Sequence, residues 1–178
     1  LHSPMIRKDG QLVEVGWDEA IARIVSELRS FKKSEIAGVG SANATNEDNY
    51  VFQKVMKEVI GTKHVDFIQH FNEELEDELL IRADKTPNSL GARQVGVRPA
   101  EGGLDISNIV RGIEEGSIKA LYVLEDDIAE DPRFAAVLSN LQFLVVHASV
   151  QNKTAELADI VISCSTYAEK NGTMTNFA

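Results

Sequence analysis

The chain is poor in cysteine. Cys164 is the only one in 178 residues, so no intramolecular disulfide can form and no cysteine-held metal cluster can be built. Long apolar runs are also missing. The longest, such as Leu141 to Val146, are strand-sized and far short of the ~20 residues a membrane span needs. Positive charge is scarce, with 18 Lys and Arg against 28 Asp and Glu for a formal charge of -10. Without a basic stripe the chain is a poor match for nucleic acid, whose phosphates are neutralised by Lys and Arg, or for an anionic membrane surface. Proline and aromatic residues are few, and glycine shows no collagen-like period, which excludes fibrous and low-complexity classes. A reducing, cytoplasmic setting follows from the cysteine usage. The chain opens at Leu1 with neither an initiator Met nor a leader, which reads as a processed or excised piece.

What is present is α/β patterning. Lys8-Asp9-Gly10-Gln11 reads as a tight turn leading into a strand at Leu12–Val15, since Asp-Gly supplies the positive φ a hairpin requires. Ala20, Ile21, Ile24, Val25 and Leu28 recur at helical spacing, predicting an amphipathic helix from Asp18 to Phe31. Ile36–Gly40 reads as a buried strand. Thr45-Asn46-Glu47-Asp48 opens a helix with a capping box, Gly61 closes it, and His64–Phe67 reads as the next strand. That is a βαβ unit, implying parallel pairing and a right-handed crossover. The span 69–103 reads as a connection. Further helices at Ile106–Ile113, Pro132–Leu138 and Thr154–Leu157 alternate with strands at Ala120–Leu124, Phe143–Val146 and Ile160–Ser163. The expected fold is therefore Rossmann-like: three α/β/α layers with a mainly parallel sheet. Residues 1–68 form a first half, 69–103 the connection and 104–178 a second half.

Several residue groups are candidates for chemistry, each beside a plainer reading. Gly38-Val39-Gly40-Ser41-Ala42-Asn43 lies at a strand-to-helix junction and holds two of the three glycines of a dinucleotide fingerprint, with Asn43 at the third. Asp66, expected at the end of the next strand, stands where an acid could hold a ribose. The plainer reading is an ordinary βα turn, which welcomes Gly and Ser. Glu125-Asp126-Asp127 follows a strand at the edge where ligands bind. These acids could hold a divalent cation, would repel a phosphate, and as a plain feature make a solvated loop. His2, His64, His70 and His147 show no metal-ligand spacing. Cys164 reads as a small buried hydrophobe rather than a nucleophile. The acid run at 73–78 reads as a solvated face.

Three blocks resemble the molybdopterin oxidoreductase family: Ser3-Pro4-Met5-Ile6-Arg7-Lys8-Asp9-Gly10 with Trp17-Asp18-Glu19-Ala20; Gly38-Val39-Gly40-Ser41 with Ala44-Thr45-Asn46-Glu47-Asp48-Asn49-Tyr50; and Ala158-Asp159-Ile160-Val161 with Glu169-Lys170-Asn171-Gly172-Thr173 and Thr175-Asn176. Active members bind a molybdenum bis(pyranopterin guanine dinucleotide), and many supply a metal-bound Cys or selenocysteine after the second strand. Here Val65-Asp66-Phe67-Ile68-Gln69-His70-Phe71 has no thiol, and Glu125-Asp126-Asp127 stands where the family shows a G-x-N-P-like turn. The stretch Lys85-Thr86-Pro87-Asn88-Ser89-Leu90-Gly91-Ala92-Arg93 resembles the large iron–sulfur subunit of NADH:quinone oxidoreductase (complex I). That resemblance implies a cofactor-free structural domain, whose parent subunit carries iron–sulfur clusters elsewhere. The implied partners are other domains of that subunit and peripheral-arm subunits, with no nucleic acid, no membrane insertion, and self-association of the isolated piece. The alternative is a formate-dehydrogenase-like fragment in which Gly40, Ser41 and Asn43 hold the guanine dinucleotide. A third reading is a plain nucleotide module using Gly38, Gly40 and Asp66.

Overall fold

The computed structural model describes residues 1–79 and 81–176. Strands β1 (Met5–Lys8) and β2 (Gln11–Glu14) form a hairpin whose two-residue turn, Asp9 and Gly10, has φ of 51° and 82°, the double positive φ of a type I′ turn. Helix α1 (Trp17–Ser30) follows with Asp18 and Glu19 in its first turn and Arg29 in its last, both favourable to the helix dipole. Then come β3 (Ile36–Ser41), α2 (Asn46–Lys54) and β4 (His64–Ile68). The helix α2 widens into a π-helical stretch at Val55–Ile60 and stops at Gly61, whose φ is 83°. Beyond the connection, which holds the short α3 (Ser89–Gln94), the chain runs through α4 (Ile106–Glu114), β5 (Ala120–Leu124), α5 (Pro132–Ala135), β6 (Phe143–Ala148), α6 (Lys153–Leu157) and β7 (Ile160–Ser163).

The seven strands form one sheet in the order β2-β1-β7-β6-β5-β3-β4. Strands β3 to β7 are mutually parallel, and β1 is antiparallel to both its neighbours. The expected three-layer, mainly parallel fold is the observed one. The central strands are apolar on both faces because both are covered: β3 is buried along its whole length, as is β7. One face packs Ile24, Leu28, Phe52, Met56 and Val97 from α1, α2 and the connection; the other packs Ile109, Ile113, Phe134 and Ala155 from α4, α5 and α6.

The hairpin lies beyond β7 at the far edge, so residues distant in sequence complete the sheet. Among the described residues, no helix is long and apolar enough to cross a membrane. After β3 the chain moves outward to β4, then returns to the other side of β3 at β5. Connections leaving in opposite directions open a crevice at the C-terminal ends of β3 and β5, where open α/β sheets bind ligands.

Candidate functional site at the sheet crest

The glycines of β3 face its helices, not the crest. A Cβ on Gly38 would lie 2.9 Å from Met56 Cε, and one on Gly40 would lie 2.6 Å from Val97 Cγ1 and 3.1 Å from Asn49 Oδ1. Both positions need glycine so that α2 and the connection can approach the strand. The space beside both glycines is filled by the protein's own side chains.

The donors of the following turn are spent in the same way. The fully buried Asn49 accepts from Ser41 N (3.3 Å) and donates through Nδ2 to the carbonyls of Ser41 (2.8 Å) and Thr45 (3.0 Å). Ser41 Oγ donates to the Glu125 carbonyl at 3.0 Å and accepts from Asn43 N at 3.0 Å. Thr45 Oγ1 accepts from Asp48 N at 3.1 Å, closing the expected capping box. Asn46 N, the next orphan donor of α2, is taken by the Thr173 carbonyl at 2.8 Å.

That carbonyl belongs to a C-terminal strap that crosses the start of α2. Gly172 fits there because a Cβ would lie 2.5 Å from Thr45 Cγ2. Thr173 N and Oγ1 each donate to Glu47 at 2.8 Å. Thr175 N donates to Asn88 Oδ1 at 2.6 Å, and Gly91 N donates to the Thr175 carbonyl at 3.1 Å. Lys170 anchors the strap, 2.8 Å from Asp48 Oδ2 and 2.7 Å from Glu125 Oε1. Burial works against its ammonium, but the hydrogen bonds with the two carboxylates outweigh it and raise the pKa.

Asp66 is not at the end of its strand. It pairs with Val39 in the middle of β4, and its Oδ2 accepts from Ile106 N at 2.9 Å. Burial raises its pKa, against the pull of that hydrogen bond. It serves the first turn of α4 and lies away from the crest, because β4 extends one residue beyond the expected Phe67 and the ladder fixes Asp66 two residues before the end. The turn 38–43 and Asp66 are thus not brought to one site. As built, neither Gly38, Gly40, Ser41 nor the start of α2 fits a pyrophosphate.

The acid triplet is no solvated loop. Glu125 has φ 44°, in the left-handed region, which turns its side chain to Lys170. Asp126 is 4% exposed and stands 3.1 Å from His70 Nε2 through both oxygens. Burial pushes the Asp126 carboxyl upward, while its hydrogen bond raises the His70 imidazole. Asp127 accepts from Thr154 N at 2.9 Å and from Thr154 Oγ1 at 2.6 Å, tying the β5 turn to the first turn of α6, whose N-cap is Asn152. With each carboxylate held by a different element, they do not converge, and among the described residues no group of three His, Cys, Asp or Glu is placed to hold a metal ion.

Among the described residues, two cavities border the C-terminal ends of β5, β6 and β7. One, of about 340 Å³, lies directly on the crest and is lined by Asn43, Glu125, Ser149, Asn152, Thr166 and Tyr167. Its lining is rich in amide and hydroxyl groups with one carboxylate, a donor and acceptor set suited to a nucleoside and unsuited to a polyanion. The other, about 450 Å³, opens on the α1–α2 face. There the Tyr122 hydroxyl stands 2.9 Å from His147 Nε2. Burial pushes Tyr122 up to about 12 and His147 down to about 4, so both are neutral at pH 7. Cys164 borders the same cavity, with its thiol pushed up to about 12 by burial and then by Glu125. That makes it a poor nucleophile. Lys170, the strap and the Tyr122–His147 pair carry no local sequence signal; only the Glu169-Lys170-Asn171-Gly172-Thr173 block marked their neighbourhood.

Comparison with known proteins places these observations. The molybdopterin oxidoreductase family matches residues 1–94 and 82–178, the whole chain. The F420-dependent formate dehydrogenase 1 subunit alpha of Methanococcus maripaludis is 50% identical over 66 residues, 37% of this chain and 10% of that protein. YrhE of Bacillus subtilis, which carries a formate dehydrogenase name, is 33% identical over 113 residues, covering 56% of this chain and 12% of its own length. SAR2393 of Staphylococcus aureus, named likewise, is 40% identical over 70 residues, 37% and 7% of the two chains. The chain thus spans about a tenth of the length of these curated relatives. Their names overturn the expectation of a structural domain of the large iron–sulfur subunit of complex I: the stretch 85–93 that suggested it is a local likeness, and these relatives are named as formate dehydrogenases.

Proposed function

Because the chain belongs to the molybdopterin oxidoreductase family, we propose that it is a Rossmann-like module of a formate-dehydrogenase-like oxidoreductase, whose crest cleft receives the nucleoside end of a molybdopterin guanine dinucleotide. The observation that carries this reading is the 340 Å³ cleft between Asn43, Glu125, Asn152 and Tyr167 at the point where the sheet reverses its winding. Guanine offers two N–H donors on one edge, which a carboxylate accepts as a pair. Glu125 borders the cleft with its Oε1 held by Lys170, and is the residue that would accept such a pair. The Asn43 amide, the Asn152 Nδ2 (its Oδ1 caps α6) and the Ser149 hydroxyl supply partners for the purine rim and ribose. When bound, the dinucleotide brings the redox-active molybdenum. The residues of this chain bind and orient its nucleoside, and the pyrophosphate must find its cations elsewhere, since Lys170 is already shared by two carboxylates.

Calorimetric titration with GMP tests this. Saturable binding, weakened at least about tenfold by Glu125→Gln, is the expected result. No heat up to millimolar GMP, or equal affinity for AMP, would overturn it.

A further inference from the structure

On one face of the sheet α1 lies over β7 and α2 over β3, with β6 and β5 between. Three strand steps put the two helices roughly 14 Å apart, against roughly 8–10 Å for packed helices. The result is a groove floored by Tyr122, with cavities of about 450 Å³ toward the crest and about 580 Å³ toward the base. Its walls are two apolar stripes at spacing i, i+4, i+8: Trp17, Ile21 and Val25 on α1, and Val51, Val55 and Val59 on α2 and its π-helical extension. Each of these residues leaves between 36% and 77% of its surface exposed. Together they present on the order of 600 Å² of uncovered surface, close to the ~800 Å² each partner buries in a standard interface.

The charge along the groove is polarised. Its crest end carries Asp18 and the Asp48–Lys170–Glu125 cluster, whose net charge is negative, while its base end carries Arg29 and Lys33. A surface acidic at one end and basic at the other complements itself when turned end for end.

We propose that this groove is a self-association face, in which two copies pack α1 against α1 antiparallel about a twofold axis level with Arg23. That register sets Ile21 of each copy against Val25 of the other, Asp18 beside Arg29, and the Arg29 guanidinium over the Trp17 indole. The same axis lays the valine stripe of one copy along that of the other. The proposal does not depend on the oxidoreductase reading, since it uses only the α1–α2 face and not the crest.

Light scattering after size exclusion at about 0.1 mM, a range where an interface of this size holds a dimer of micromolar affinity, tests it. The expected result is a dimer that Val25→Glu weakens at least about tenfold with the far-UV spectrum unchanged. In a Cys164→Ser background, an equimolar mixture of Ile21→Cys and Val25→Cys proteins should form a disulfide-linked dimer faster than either alone. A chain monomeric at about 0.1 mM or higher, its groove free for a helix of another polypeptide, overturns the proposal. So does a dimer indifferent to Val25→Glu, or one in which the mixed cysteines cross-link no faster than the single variants.

Discussion

Two turns end side by side at the crest, one after β3 and one after β5, and each does the opposite of what its residues advertise. The β3 turn has the glycines and the helix start of a phosphate site, yet α2 and Val97 fill the space beside the glycines and the C-terminal strap takes the first N–H of α2. The β5 turn is a run of three acids, yet it borders the crest cleft, and its charges are separated by Lys170, His70 and Thr154. A motif supplies donors and space, and residues far away in sequence decide whether either is left for a ligand.

Breaking the β3 side should have the largest effect. Gly40→Val pushes three carbons toward Val97 and Asn49 and is expected to cost about 3 kcal/mol of stability, as overpacking does, read as a lowered denaturant midpoint. If the change is neutral, these glycines are free and the contrast between the turns fails. Lys170→Met comes next. Lys170 is 16% exposed, with Glu125 at 15% and Asp48 at 33%, so leaving two carboxylates unpaired costs about 2 kcal/mol after allowance for solvent. Hydrogen exchange should then rise in the strap and at the start of α2, tying both turns to one cation. Asp127→Ala removes the acceptor of Lys153 N and Thr154 N in the first turn of α6 while leaving its Asn152 cap, and is expected to cost about 1 kcal/mol, with faster exchange confined to residues 152–155.

The smallest effect is a pH dependence. The His70 pKa is raised in the fold by Asp126, so the stability it contributes is complete below its unfolded value of about 6.5 and is lost as pH rises through the higher folded value. Because the His70 side chain is 37% exposed, the loss should stay under about 1 kcal/mol. His70→Gln should flatten the stability profile above pH 6.5, and a profile unaltered by that change would detach His70 from the β5 turn.

Much of the fold is legible in the sequence because its signals are local. Unbroken apolar runs such as Phe143–Val146 mark covered parallel strands, Thr45 and Asp48 announce a helix start, and Asp9-Gly10 announces a hairpin. The π-helical widening of α2 leaves no such trace, and Pro132–Leu138, read as one helix, is a single turn of α5 followed by a 3₁₀ turn. The site was far less legible because its contacts are long-range. Lys170 reaches Glu125 across 45 residues, and His70 reaches Asp126 across 56. Asp66 illustrates the same limit: the residue type suits a ribose, but the β-ladder sets it two residues short of the strand end, where Ile106 claims it.

One consequence of the α1 groove is optical. Trp17 is the sole indole in the chain and stands half exposed at the groove's edge, so its emission reports on that face alone. A blue shift on concentrating the protein would register water leaving the groove, giving the molecule a label-free sensor at the surface where assembly is expected.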